Sequence, residues 1–214
     1  MAVFRNNLLG AIRGRVGNMV SYVVLGKNVV RMIGQNNKPP TEKQLANRQA
    51  MKVICEVLSM AKPFTRIGFD AEAKLRSLYP QNVGISVNKP AALKGVYPQI
   101  EVDYPKLKLS MGSVPGLMGL TVVAEDDGLC ITWTPVLDWQ YMHDRIMVVV
   151  YFPELAAEKH EKSCIELSGA RRSEGIERIP LSSALLSQRM EVFVAMRAAC
   201  GADVSDSQYA GRLN

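Results

Sequence analysis

Two apolar runs of strand length stand near the start of the chain, Met19-Val-Ser-Tyr-Val-Val-Leu25 and Asn28-Val-Val-Arg-Met-Ile33, with Gly26-Lys27 between them. Runs rich in β-branched residues on either side of a glycine predict a β-hairpin. Gly26 supplies the positive φ that a type II′ turn needs at its first central position. Period-two alternation places Val20, Tyr22 and Val24 on one face and Met19, Val23 and Leu25 on the other. Both faces are apolar and a two-stranded hairpin is marginal in water, so these six residues need a surface to pack on. The stretch before them, Gly10 to Gly17, reads as a glycine-punctuated loop.

After Pro39-Pro40 the period changes. Thr41-Glu-Lys-Gln44 has the form of a capping box and predicts a helix start. Ala50, Ile54, Val57, Leu58 and Ala61 then fall on one stripe, Lys43, Asn47 and Arg48 lie outside it, and Pro63 marks an end or a kink. A weaker helical pattern runs from Phe69 to Leu78. Beyond Pro80, the prolines and glycines at 84, 90, 95, 98 and 105 predict a connection holding at most one short helix. From Leu107 onward, short strands are expected at 107–111, 120–123, 129–133, 145–152, 164–167, 176–181, 190–198 and 207–212. Leu129, Ile131 and Trp133 share one face, as do Met190, Val192, Val194 and Met196, with Glu191 and Arg197 opposite. Such spacing is the mark of an all-β sandwich. The expected fold is mainly β (α+β): a hairpin-and-helix module over 1–80, a connection over 81–105 and a β-sandwich over 106–214.

Charge sharpens this division. Up to Arg66 eleven Lys and Arg face two acids, +9, whereas the whole chain carries only +6. A basic first module attracts polyanions or an acidic protein face. Its candidates for polyanion binding are Arg13, Arg15, Lys27, Arg31, Arg48 and Lys52, with Tyr22 the one aromatic inside the hairpin that could stack on a base. Hydrophobic residues make up 48% of the chain and charged ones 21%, which excludes a disordered, collagenous or coiled-coil protein. No apolar run approaches the roughly 20 residues of a membrane span, and no secretory signal is read at the start. A soluble protein, cytoplasmic at synthesis, is expected.

Enzyme chemistry finds little purchase. Gly26-Lys27 is followed by Asn28 within a hairpin, which is no P-loop, and Gly10, Gly14 and Gly17 precede a strand where a dinucleotide fingerprint would follow one. The cysteines at 55, 130, 164 and 200 are too far apart for a zinc ribbon or a redox pair. His143 and His160 stand in polar surroundings and read as loop residues. Glu125-Asp126-Asp127-Gly128 reads as an acidic turn without an EF-hand ligand pattern, and Asp203, Ser205 and Asp206 as turn residues. No cofactor and no metal is called for.

Cys130-Ile-Thr-Trp133-Thr134-Pro135, with Met190 to Arg197 running into Gly201 and Ser205, resembles a fibronectin type III module. That resemblance covers about 106 to 212 and implies a buried Trp133 and an interaction or spacing role. The whole chain is also similar to an uncharacterised family of bacterial proteins best known from Bacteroidetes genomes. The residues that carry this likeness are Gly17, Gly26-Lys27, Val30-Arg31, Phe64-Thr-Arg66-Ile-Gly68-Phe69, Tyr97-Pro98, Glu101-Val-Asp103-Tyr104, Ser110 with Gly112, Pro115-Gly116, and Ser205-Asp-Ser207 with Tyr209 and Gly211. The family implies no activity. The expected role is therefore non-catalytic: a structural or assembly protein, homo-oligomeric or part of a phage-like particle. The six hairpin residues Met19, Val20, Tyr22, Val23, Val24 and Leu25 would be its assembly face. Non-specific nucleic-acid binding through the basic module is the alternative.

Overall fold

A computed structural model describes residues 2–4, 13–35, 37–155 and 162–214. The chain divides into two compact units, Met1–Thr41 and Glu42–Asn214. The helices expected to belong with the hairpin thus fall in the second unit, away from the anticipated boundaries at 80 and 105.

In the first unit, β1 (Ala2–Phe4), β2 (Gly14–Val16), β3 (Met19–Val24) and β4 (Lys27–Met32) form one antiparallel sheet in the order β1-β4-β3-β2. The predicted hairpin is its centre, but its turn sits one residue earlier than expected. Val24 pairs with Lys27, and Leu25 (φ 48°) and Gly26 (φ 75°) are both left-handed, the pattern of a type I′ turn. That turn's twist matches the strands, and this offsets the cost of a left-handed leucine, about 1–2 kcal/mol. Part of the expected glycine loop is the strand β2. Gly17 (φ 55°) and Asn18 form the two-residue turn that leads from it into β3. Gly10 lies outside the described residues.

The second unit opens with four helices: α1 (Glu42–Met60), α2 (Lys62–Gly68), α3 (Asp70–Arg76) and α4 (Pro80–Ala91). The apolar stripe of α1 is buried at Ile54, Val57 and Leu58, and Pro63 stands in the first turn of α2, where its missing N–H costs nothing. α3 ends where Ser77 turns left-handed at φ 52°. The twelve residues of α4 correct the reading of this region as a connection. Pro80 occupies the helix start, Pro90 falls in the last turn, and a side chain at Gly84 would come within 3.1 Å of Phe69 and 3.2 Å of Leu58. The punctuating residues therefore serve a close helix crossing.

A two-stranded ribbon, β5 (Leu93–Lys94) with β6 (Glu101–Val102), leads into the sheets. β7 (Thr121–Glu125), β8 (Gly128–Thr132), β9 (Arg145–Tyr151), β10 (Ser163–Glu166), β11 (Ile176–Pro180), β12 (Met190–Arg197) and β13 (Gln208–Leu213) follow the predicted spacing closely. A short helix, α5 (Ser183–Leu186), lies between β11 and β12. The pairings between these strands are antiparallel: β10-β9-β12-β13 in one sheet and β11-β8-β7 in another.

The segment 107–111, expected as a strand, is not one. Leu107 and Leu109 are buried, but the backbone of Lys108 bonds to a side chain. The buried Asn88 on α4 accepts from the Lys108 N–H at 2.7 Å and donates to its carbonyl at 2.7 Å, taking the place of a neighbouring strand.

Two large clusters of side chains, beside a small one of Phe69, Ala73 and Val83, make the core of this unit. Ile146, Val148 and Val150 of β9 and Met190, Val192, Val194 and Met196 of β12 share one with Leu129, Ile131 and Trp133. The alternate residues Met147, Val149, Tyr151, Phe193 and Ala195 share the other with Ile54, Leu58 and Phe64 of the helices. The four-stranded sheet is buried on both faces, which explains why 146–152 is apolar without a break. The face of β12 expected to be polar is covered: Glu191 is fully buried.

Candidate interaction surfaces of the N-terminal sheet

Strand register sorts the predicted residues of the first unit onto two faces. Directly opposed residues project to the same side, so the pairs Arg15↔Val20↔Arg31, Tyr22↔Val29 and Val24↔Lys27 define one face. The pairs Val16↔Met19↔Met32, Ser21↔Val30 and Val23↔Asn28 define the other. The assembly residues Val20, Tyr22 and Val24 thus share the first face, and Met19 and Val23 the second. Leu25 lies in the turn.

The first face is basic around an apolar centre. Arg15, Lys27 and Arg31 are exposed, Tyr22 is half-buried and Val29 is buried. Arg15 donates from Nε to the Gly17 carbonyl at 3.0 Å, which leaves the rest of its guanidinium open. The second face carries a transverse row of exposed apolar side chains: Val16 at 67% exposure, Met19 at 48% and Met32 at 72%. Val16 and Met32 were not among the expected assembly residues. Their signal was period-two alternation with Met19, which only the strand pairing turns into a row.

Arg13 is exposed just before β2. Arg48 and Lys52 are exposed one turn apart on α1, in the second unit.

Other candidate groups are committed to structure. Asp203 accepts from the Ser113 hydroxyl, and Asp206 accepts from Lys108 Nζ at 2.7 Å and the Gly112 N–H at 3.3 Å. Ser205 Oγ accepts from the Met196 N–H at 2.9 Å. Glu125 faces Arg178 at 3.7 Å. Burial pushes the thiols of Cys130 and Cys164 up, reinforced by Glu125 and Glu166, so neither is an activated nucleophile. His143 is exposed, and His160 lies outside the described residues.

Two ionic groups are buried where the sequence reading did not expect it. Glu191 accepts from Arg189 Nη2 at 2.8 Å, Arg212 Nε at 3.1 Å and the Tyr209 hydroxyl at 2.6 Å. Burial, then the bond to this carboxylate, pushes the Tyr209 phenol up to about 12. Arg172, 2% exposed, donates to the carbonyls of Pro115 (2.6 Å) and Gly116 (3.0 Å) and lies 3.6 Å from Asp144. Its own carbonyl receives the Trp133 indole N–H at 2.9 Å. Glu191 was visible as an acid in an apolar strand, whereas nothing in the pattern linked Asp144 to Arg172.

Among the described residues no helix is long and apolar enough to cross a membrane. No curated protein and no solved structure matches the chain. A family model described as "Family of unknown function (DUF6266)" matches residues 11–211, nearly the whole sequence, and the chain belongs to that family.

Proposed function

We propose that the protein is a non-catalytic assembly component that docks through the apolar face of its N-terminal sheet. The observation that carries this reading is the row Val16, Met19 and Met32, three large apolar side chains opposed across neighbouring strands and each about half exposed or more. An apolar row on a short sheet favours removal from water at about 25 cal/mol per Å², and a stable interface buries over roughly 1,000 Å² in total. The occupant consistent with such a surface is the same face of a second copy, which is apolar in turn.

A fibronectin type III-like sandwich in the second unit fits that role. Its support is the exchange of strands between sheets, β7, β8 and β11 in one and β9, β10, β12 and β13 in the other, around the buried Trp133. Such sandwiches commonly space or present interaction surfaces. A phage-like particle is one assembly that uses such parts.

Light scattering of the full chain between about 5 and 200 µM, a range that brackets micromolar association, tests the reading. The wild type is expected to reach at least twice the monomer mass, and Val16→Ser/Met19→Ser/Met32→Ser to remain monomeric with an unchanged circular dichroism spectrum. A monomeric wild type throughout would overturn it.

A second reading is favoured by Arg15, Lys27 and Arg31 sharing one face with Tyr22. Three phosphate contacts predict that affinity for DNA or RNA falls with log salt at a slope of about −3. Absence of retention at about 50 mM salt, where non-specific binders still hold, removes this reading and leaves the first untouched.

A further inference from the structure

Three arginines from separate parts of the second unit stand side by side at one end of the four-stranded sheet. Arg197, the last residue of β12, is paired directly with Arg145, the first of β9. Arg145 is in turn bridged on its other side to Arg171. Register therefore sets three guanidinium-bearing residues in a transverse row, and like charges directly opposite one another are destabilising. Among the described residues none of the three has a carboxylate within 4.0 Å. Nearby acids have other partners: Asp144 accepts from the Ala199 N–H at 3.1 Å, Glu166 from the Ser168 N–H at 3.0 Å and Glu174 from the backbone N–H of Arg171 itself at 3.2 Å. Asp70 and Asp203 line an adjoining cleft with Arg197, where Asp70 pairs with Lys74 and Asp203 accepts from the Ser113 hydroxyl.

The row lines an open cleft of ≈ 520 Å³ that also receives His143 and Ser168 and has no acidic residue in its wall. Arg145 spends one N–H on the Gly169 carbonyl, at 2.9 Å. Arg197 Nε is buried without a hydrogen-bond partner. A row of planar, permanently charged donors around a polar cleft matches the oxygens of a phosphoryl group, which accept from guanidinium in pairs. The cleft is roomier than a bare phosphate requires and falls within the range of about 300–1,000 Å³ typical of small-molecule sites.

We propose that Arg145, Arg171 and Arg197 form a binding site for the diphosphate or phosphate-ester end of a small phosphorylated molecule. The site is separate from the N-terminal sheet and does not depend on the function proposed for it. Bound anion offsets the repulsion that strand pairing imposes, so ligand binding and stability of this sheet end are linked.

The test is titration calorimetry and thermal unfolding of the full chain with inorganic pyrophosphate, ionic strength held constant with sodium chloride. Saturable binding and a rise in melting temperature are expected. Arg145→Gln and Arg197→Gln should each weaken affinity at least about tenfold, the loss of one charge-assisted bond. Arg178→Gln, at an exposed arginine that faces Glu125 and is not in the cleft wall, should bind as the wild type. Without ligand, Arg145→Gln should melt no lower than the wild type, because it relieves the row. Adenosine diphosphate binding more tightly than pyrophosphate would identify a nucleotide as the source of the phosphates, and equal binding would confine recognition to the phosphates themselves. No saturable pyrophosphate binding up to about 10 mM, the weak limit of specific affinity, would overturn the proposal. Unchanged binding by both glutamine variants would do the same.

Discussion

Removing Asp144 strands a charge in the interior of the second unit. Its side chain and that of Arg172 are 4% and 2% exposed, and the pair stands 3.6 Å apart. At that distance, in a medium of effective dielectric near 20, the gross attraction is about 5 kcal/mol. Asp144→Ala forfeits it together with the bond from the Ala199 N–H, worth about 1 kcal/mol. Against this loss, Arg172 keeps the Pro115 and Gly116 carbonyls and lies 5.9 Å from the Tyr141 ring centroid, so its charge is not wholly bare. Breaking a buried pair on one side usually costs about 3–5 kcal/mol, and we expect Asp144→Ala to fall there. For a unit of this size that lowers the melting temperature by about 6–20 °C. Asp144→Asn keeps an acceptor for Ala199 and should cost about 1 kcal/mol less, which separates the charge from the hydrogen bond. Urea unfolding followed by tryptophan fluorescence suits the measurement, because the Trp133 indole bonds to the Arg172 carbonyl. An Asp144→Ala variant within about 1 kcal/mol of the wild type would refute the reasoning, since surface pairs contribute no more than that.

Tyr209 gives a prediction about alkaline pH. Its phenol is raised from the ordinary 10.0 to about 12, by burial first and then by the bond to Glu191. A raised folded-state value means that its contribution is fully present below about pH 10 and lost as pH climbs through about 12, because the unfolded chain ionises first. The stability difference between wild type and Tyr209→Phe, from urea melts at several pH values, should therefore shrink across that window. A difference that stays constant would count against the Tyr209–Glu191 bond. At Gly68 the expected sign opposes helix propensity. A side chain there would meet the Leu109 carbonyl oxygen and the Ser110 Cβ at 2.6 Å, so Gly68→Ala should destabilise by about 1–3 kcal/mol in a thermal melt. The gain of up to about 1 kcal/mol normal for an exposed helical glycine would show that α2 can move away.

Periodicity was most informative where one face is buried. The stripe of α1 and the strands from β7 to β13 repeat at their own period, and each appears close to where the pattern puts it. α4 was hidden because its prolines and glycine look like breakers, although Pro80 starts a helix and Gly84 lets one pack closely on Phe69 and Leu58. At 107–111 a strand was expected, and Leu107 and Leu109 are buried without one forming. Alternation could not reveal that Asn88, nineteen residues before Leu107, supplies the pairing partner for Lys108. The basic and apolar faces of the N-terminal sheet were half legible, since alternation along β3 separates them but the opposition of Val16 to Met19 and Met32 needs the register. The arginine row was not legible at all. Arg145, Arg171 and Arg197 lie far apart in the chain, and only strand pairing makes them neighbours.

The double burial of the four-stranded sheet governs how the second unit comes apart. β9 and β12 act as a party wall between two cores: Ile146, Val148 and Val150 belong to one room, Met147, Val149 and Tyr151 to the other. Loosening the helices wets one side of that wall, and loosening the three-stranded sheet wets the other. Either event strips packing from strands that the opposite core relies on. Amides in the middle of β9 and β12 should then exchange only through whole-unit opening, while β7, whose Val123 is largely exposed, can fray independently. Deleting the helices would not release free-standing sheets, because it would open to water the sheet face that bears Phe193, Ala195 and the buried Glu191.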